Sequence, residues 1–444
     1  MTMKNHFLYA ITLIIAAVSL VETLSAQAVI HRSEFLCYDK REDAKSDIRK
    51  NNDKYIDLRP TLQFEGEGSV RAVYEQEIDV PASWNDYNSY LHLENIRSGY
   101  DIAINGAVAH SSEDGTTPAD YFISPHLKQG ANKVVLLLRP SSCAELDKGV
   151  QASKTERFTN CYIFAQHRTA IYDFDAAIVV GDDKKLHLEL DLIADNSFNF
   201  EETISLGYDI YTPEKKLVDY AVRELIVPGR SRDTLKVRVD LGAELRYLWS
   251  AAKPQLYRST LYIKRGSKPV EYIPLYIGAG KTTFADGKIY RNGTAITIKS
   301  APYNAAANRT ETRKEILALK SKGINTLKPD YPQPIWFYEL CDKIGIYVVE
   351  RAAINPTDNS TDRTIGGTPS NNPQLLGEYL DRVKGMYYRT RNYSCIIAYT
   401  LGGEKAGNGY CMYKAYQWLK SVEKQRPVVC LSADGEWNSD PLSL

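Results

Sequence analysis

The chain lacks any surplus of charge. Its 55 Lys and Arg balance 55 Asp and Glu over 444 residues, which excludes a general electrostatic pull toward nucleic acid or an anionic membrane surface. No block of like charges marks a nucleic-acid-binding arm. No C-x-x-C spacing occurs, and the seven cysteines, an odd number, do not pair completely. Cys341 and Cys395 lie in apolar runs and read as buried thiols. Cys143 and Cys161 are the pair that would bond if their strands were neighbours. Histidine stops at His187. Beyond the N-terminal segment no apolar run is long enough to span a membrane. Phe is scarce, 11 against 31 Tyr, a balance that suits a wet, β-rich protein outside the cytoplasm. With 43% hydrophobic and 25% charged residues the chain is not a disordered one, and its length allows about three domains.

The first residues read as an export signal. Lys4 gives a basic start, Leu8 to Val21 is apolar over the length of a signal-peptide core, and Ala26-Gln27-Ala28 supplies the small residues of a cleavage site. The expectation is a signal peptide over 1–28, cut after Ala28, and a periplasmic or extracellular product. No Cys sits at the junction to carry a lipid.

After the signal the rhythm changes twice. From Tyr55 to His167 short strands alternate: Leu91 and Leu93 with His92 and Glu94, and Tyr100, Ile102 and Ile104 with Asp101 and Ala103. Asn105-Gly106 then marks a tight turn, and Val134–Leu138 reads as a fully buried strand. This predicts a β-sandwich. A second all-β segment of roughly 110 residues follows, carrying Leu186-Leu188-Leu190-Leu192 and Leu235-Val237-Val239 at alternate positions, and suits an immunoglobulin-like sandwich. Beyond Thr283 strands and helices alternate. Ile296–Ile298, Ile324–Leu327, Ile346–Val349, Ile396–Leu401 and Val428–Leu431 read as strands. The helices begin at a capping box Thr312–Glu315, at Pro334, at Tyr379 and at Met412. Such alternation argues a parallel sheet, most simply a β/α barrel.

Four strings inside this frame resemble glycoside hydrolase family 2, of the β-galactosidase type. Ser112-Glu113-Asp114-Gly115-Thr116-Thr117-Pro118-Ala119-Asp120-Tyr121 is similar to S-x-D-S-R-x-P-A-E-F. Leu248-Trp249-Ser250-Ala251 through Pro254-Gln255-Leu256-Tyr257 is similar to L-W-S-A-E-x-P-x-L-Y. Trp336 through Asp342, with Gly345 through Val349, is similar to W-Y-x-L-C-D-x-Y-G-L-Y-V-V. Arg389-Thr390-Arg391-Asn392 through Leu401-Gly402-Gly403-Glu404 is similar to R-D-R-N-H-P-S-I-I-x-W-S-L-G-N-E. The resemblance implies a jelly-roll sugar-binding-type β-sandwich over 29–168, an immunoglobulin-like β-sandwich over 169–282, and a partial (β/α) TIM-type barrel of about five strands over 283–444.

The resemblance also implies O-glycosidic hydrolysis of a β-glycoside by a retaining mechanism, with no cofactor. That chemistry needs two carboxylates about 5–5.5 Å apart, an acid/base and a nucleophile. Glu404 takes the acid/base position. Tyr303, Asn304, Asp330 and Tyr331 take the sugar-facing positions, and Asp147 is placed where the first domain lends a carboxylate to the site. The departures are several. Gly403 stands where the family has Asn. Asn355 and Thr357 replace the carboxylate and imidazole that hold magnesium in some members, a poor oxygen-ligand set, so no metal is expected. The family's nucleophile ends the seventh strand, roughly 90 residues beyond the acid/base at about 31 residues per β/α unit, and 40 residues follow Glu404 here. Glu436 is the one similar carboxylate past the fifth strand. The expectation is a glycosidase impaired or inactive as this chain, with a non-catalytic carbohydrate-binding or scaffold protein as the alternative. The open edge of such a partial barrel would need covering by the chain itself, by a partner or by a second copy.

Overall fold

The structure is a computed structural model and describes residues 29–46, 52–149, 157–357, 362–442 and 444. The expected signal peptide over 1–28 lies outside the described residues. No helix among them is long and apolar enough to cross a membrane.

The chain divides into two compact units. The first comprises 29–30, 54–144 and 157–166. Two antiparallel sheets build it. One orders its strands as Tyr55–Asp57, Tyr162–His167, Tyr87–Leu93 and Ala119–Phe122. The other orders them as Thr61–Glu65, Ala72–Val80, Gly130–Arg139, Gly99–Ile104 and Ala107–Ser112. Leu91, Ile163 and Tyr121 of the first sheet share one core with Ile102, Leu136 and Leu138 of the second. Period-two alternation therefore puts the expected apolar set inside. The other face of Tyr87–Leu93 is not the solvated face the alternation suggests. His92 and Glu94 are buried because the imidazole is held between Asp120 Oδ1 (2.7 Å) and Glu94 Oε1 (3.1 Å), with Asn160 Nδ2 donating to the same Glu94 oxygen. All seven cysteines are buried thiols. The Cys143–Cys161 bridge is not formed, for the Cys161 thiol donates instead to the Glu94 carbonyl (3.5 Å).

The second unit comprises the described residues of 31–53 and 145–149 and everything from 167 onward. It opens with a seven-stranded antiparallel pair of sheets. A three-stranded sheet (Thr169–Val180, Leu186–Asn196, Ser231–Gly242) faces a four-stranded one (Leu217–Val227, Glu202–Tyr211, Tyr257–Arg265, Lys268–Ile277). Leu186, Leu188, Leu190 and Leu192 are at most 1% exposed and lie in one core with Leu206, Ile210, Leu261 and Ile273. Each such leucine contributes about 1.5–3 kcal/mol of burial. A small hairpin sheet, Thr282–Ala285, Lys288–Arg291 and Thr294–Ala295, follows. Its two turns, Asp286-Gly287 and Asn292-Gly293, have positive φ throughout, as two-residue hairpins require.

The remainder is a five-stranded, wholly parallel sheet with strands in chain order: β1 (Ser300–Pro302), β2 (Thr326–Lys328), β3 (Tyr347–Arg351), β4 (Ile396–Thr400) and β5 (Val428–Val429). Helices α1 (Arg309–Ser321), α2 (Ile335–Ile344), α3 (Leu376–Thr390) and α4 (Tyr410–Val422) connect them. Two expected boundaries change. Ile296–Ile298 is not the first strand: Ile296 N–H donates to Ile289 O (2.8 Å), so this stretch is spent on the hairpin and the sheet begins at Ser300. Helix α1 begins a turn before Thr312. Asn308 is its cap, its side chain accepting from Glu311 N–H (2.9 Å), while Thr312 is fully buried and accepts from Ala306 N–H.

The β5 edge is covered from within the chain. Pro427 and Val429 carbonyls accept from β4, which turns the N–H and C=O of Val428 to the open side. Asp440 meets both: Val428 N–H donates to its carboxylate (2.7 Å), and its own N–H donates to Val428 O (2.9 Å). Cys430 N–H donates to Ser439 Oγ (3.1 Å). Tyr416 and Lys420 of α4 hold the Asp440 carboxylate in place. One aspartate thus stands in for a neighbouring strand, which is what an edge needs to avoid foreign pairing. Asp440→Ala is expected to lose about 1–3 kcal/mol and to aggregate on mild heating. A melting curve with light scattering checks this, and an unchanged transition would refute it.

Candidate functional site

The C-terminal ends of parallel strands are where such sheets place their chemistry. Here the loops after β1, β2, β3 and β4 converge on a hydrogen-bonded polar cluster. Asn304 follows β1. Its Nδ2 donates to Asp330 Oδ2 (3.1 Å), and its Oδ1 accepts from Asp330 N–H (3.0 Å). Gln333 donates to the Tyr331 carbonyl (2.7 Å) and accepts from Ala305 N–H (2.8 Å), fixing the loop that carries Asp330 and the buried Tyr331. Arg351 ends β3, and its Nη1 donates to Asp330 Oδ1 (3.2 Å). Burial lowers the Arg351 pKa, and the Asp330 and Glu404 charges oppose that shift.

Asn355 joins three loops. Its Nδ2 donates to the Asp330 carbonyl (2.6 Å), its N–H to the Leu146 carbonyl (2.6 Å), and its own carbonyl accepts from Gly149 N–H (2.5 Å). Glu404 lies in the exposed turn after β4. That turn is held to the β3 loop through Gly403 N–H, which donates to the Ile354 carbonyl (2.9 Å). A Cβ at Gly403 would stand 2.7 Å from Asn355 Oδ1. The two departures from the family pattern therefore interlock: the amide of Asn355 fills the space that a side chain at 403 would need.

The structure brings Asn304, Asp330 and Tyr331 into this cluster and sets Glu404 beside it. It engages the other two expected residues elsewhere. Tyr303 turns toward the helices, where its hydroxyl donates to Glu315 (2.8 Å) and its ring stacks on Phe337 at 6.1 Å. Burial, and then the Glu315 bond, raise its pKa. Asp147 reaches the loop after β3, but its carboxylate is taken by the fully buried Arg382 (2.6 and 3.3 Å). Glu436 accepts from Arg363 and Tyr413 (2.5 and 2.6 Å). Asn355 and Thr357 do not fit a magnesium site: the Asn355 amide donates to the Asp330 carbonyl, the pair supplies no carboxylate, and Mg²⁺ requires a near-octahedral set of hard oxygen ligands. No step is derived through a metal.

Two residues of this region escaped the sequence reading. Arg351 is a charge closing an apolar strand, and that placement was its available signal. Glu350 beside it is completely buried. Tyr338 donates to its Oε1 (2.9 Å), and its Oε2 has no partner. Burial pushes its carboxyl from the ordinary 4.5 up to about 8, against the opposing Tyr338 bond and Arg389 charge.

The fold and the mouth define a class: a β/α sheet with a carboxylate past its fourth strand, preceded by β-sandwich domains. Residues 304–442 match the family model described as glycosyl hydrolases family 2, TIM barrel domain. The chain is 25% identical over 372 residues to a β-galactosidase of Priestia megaterium, covering 80% of this chain and 36% of that protein. It is 26% identical over 392 residues to a β-galactosidase of Streptococcus thermophilus, covering 84% and 36%. Among solved structures it superposes on a Bacteroides uniformis β-glucuronidase with a TM-score of 0.66, at 15% identity, covering 82% of this chain and 46% of that one. A family 2 member from Bacteroides cellulosilyticus gives 0.67 at 14% identity, covering 91% and 57%. The chain thus carries a segment matching the glycoside hydrolase family 2 barrel and is similar along most of its length to β-galactosidases, and it spans about a third of the length of the curated relatives it matches.

Two outcomes follow from this geometry. Gly403→Ala is expected to cost about 1–3 kcal/mol by overpacking, and the double variant with Asn355→Ala to recover most of it. Additive losses in thermal denaturation would show that the two positions do not interlock. Glu350 binds its proton more tightly folded than unfolded, so its contribution to stability falls as pH rises from 4.5 toward 8. The melting temperature is expected to drop more steeply over that window in the native chain than in Glu350→Gln. Parallel pH profiles would count against this.

Proposed function

We propose that this chain recognises a β-glycoside at the mouth formed by Glu404, Asp330, Asn304 and Tyr331, and that its hydrolytic chemistry is impaired. The observation that carries the reading is the state of the carboxylates. Glu404, to which the resemblance gives the acid/base role, is exposed, whereas Asp330 is paired with Arg351, Asp147 with Arg382, and Glu436 with Arg363 and Tyr413. Retaining hydrolysis needs a second carboxylate, unengaged, about 5–5.5 Å from the first. For the described residues alone, a carbohydrate-binding role therefore accounts for this mouth better than turnover does. Tyr303 and Asp147 support the site from behind in this reading.

The same proposal takes 29–168 as the jelly-roll sugar-binding domain, 169–282 as the immunoglobulin-like one and 283–444 as the barrel portion. It takes 1–28 as an export signal and the working place as the periplasm or the outside of the cell. The two-sheet form of each β region and the strings around Asn105-Gly106 and Leu248-Trp249 support the domain reading.

The test is calorimetric titration and turnover with aryl β-galactosides, in the native chain and in Glu404→Gln. Binding within about threefold in both, with no aglycone release, is expected. Release by the native chain that Glu404→Gln abolishes would instead make this a working glycosidase. No binding by either folded protein would end both readings.

A further inference from the structure

A second cavity opens at the other end of the parallel sheet. It lies wholly in the second unit, where the residues entering β1, β2 and β3 (Thr297, Asn325 and Gly345 among them) meet the segment 245–253. Its volume is about 730 Å³, within the range of sites that hold an oligosaccharide-sized ligand. Its charge is one-sided. Arg246, Lys253, Arg291, Lys299 and Lys320 line it and no Asp or Glu does, in a chain whose charges balance overall.

One of these five is compensated: Arg246 pairs with Glu244 (2.9 Å) just outside. Two more, the half-buried Lys320 and the buried Arg291, spend their hydrogen bonds on carbonyl and hydroxyl oxygens. Lys320 Nζ donates to the carbonyls of Ala251, Ile344 and Gly345 (2.9, 2.6 and 2.7 Å). Arg291 is 6% exposed and donates to the Trp249 and Ala279 carbonyls and to Thr282 Oγ1. These bonds fix where the two cations sit; the Asp342 charge acts on Arg291, whereas the bonds of Lys320 are to neutral carbonyls and leave its charge in place. Burial lowers the pKa of Lys320 and takes that of Arg291 down to about 10, which is the electrostatic sign of two cations held in a poorly solvated place. Lys253 and Lys299 stand exposed at the rim, with their ammonium donors available.

We propose that this cavity binds an acidic oligosaccharide, its carboxylates or sulfates held by Lys253 and Lys299 and drawn in by the one-sided positive lining that Lys320 and Arg291 complete. An anion here would offset the burial of the two inner cations, and a charge-assisted bond to each rim lysine would fix its register. The anionic part of the inference stands on the cavity alone, and the glycan part rests on the carbohydrate reading of the chain.

The experiment is calorimetric titration of the whole chain with trigalacturonic acid, neutral cellotriose and inorganic sulfate, at low and high NaCl. Trigalacturonic acid is expected to bind, with affinity falling at least tenfold in 0.5 M NaCl by screening and at least tenfold in the Lys253→Gln/Lys299→Gln double variant. Both lysines are exposed, so the double variant should melt as the native chain does, and Glu404→Gln should bind trigalacturonic acid unchanged. The proposal is overturned if cellotriose binds equally well, if the double variant keeps full affinity, or if sulfate displaces trigalacturonic acid at equal concentration and so marks a simple anion site. Loss of β-galactoside binding at the Glu404 mouth with trigalacturonic acid still bound would sink the reading of the mouth and leave this site standing.

Discussion

The mouth of this protein depends on the amide of one residue, Asn355. Its side chain donates to the Asp330 carbonyl, and its backbone exchanges bonds with Leu146 and Gly149. Three segments far apart in the chain are thereby held within a few ångströms of one another. The same amide excludes any side chain at 403, the residue next to the exposed Glu404. A carboxylate at 355 would bring a further negative charge to the Asp330 loop and would lack the N–H that the amide donates to the Asp330 carbonyl. An amide satisfies the donors and acceptors without that charge. Asn355 and Gly403, two positions where the sequence departs from the pattern it resembles, are thus coupled in space.

Around this clamp the carboxylates are sorted by what they touch. Asp330, Asp147 and Glu436 are each committed to an arginine, and Glu350 is sealed under Tyr338. Arg382 is fully buried, so its partner Asp147 is kept for the stability of the β3 loop: an uncompensated buried guanidinium is costly. What faces solvent with an unengaged carboxylate is Glu404. The cavity at the far end of the sheet inverts this pattern, its charged lining being cationic with no Asp or Glu among the lining residues.

The sequence reading located four of the sheet's five strands within a few residues and took Ile296–Ile298, which belongs to the hairpin, for the first; it singled out Glu404 because a string of several residues surrounds it. It missed Arg351 and Glu350 because a charge at the end of an apolar strand has two opposite fates. One faces the mouth and pairs with Asp330. The other turns toward α2 and is buried with Tyr338. Period two says only that they differ in face. Tyr303 illustrates the converse: its position in the chain is at the mouth, but Phe337 and Glu315 offer its ring and hydroxyl better partners than solvent does.

By itself the sequence determined the alternation of buried faces, the order of β-rich and β/α regions, the balance of charge and the family resemblance. Those follow from periodicity and local spacing, which a linear chain carries directly. The tertiary structure alone decided that Asp440 serves as the missing neighbour of β5, that Asn355 and Gly403 interlock, that Cys143 and Cys161 stay apart, and that five cations share one cavity. Each of these is a meeting of residues distant in the chain, and hydrogen bonding and charge act over ångströms of space whatever the number of residues between.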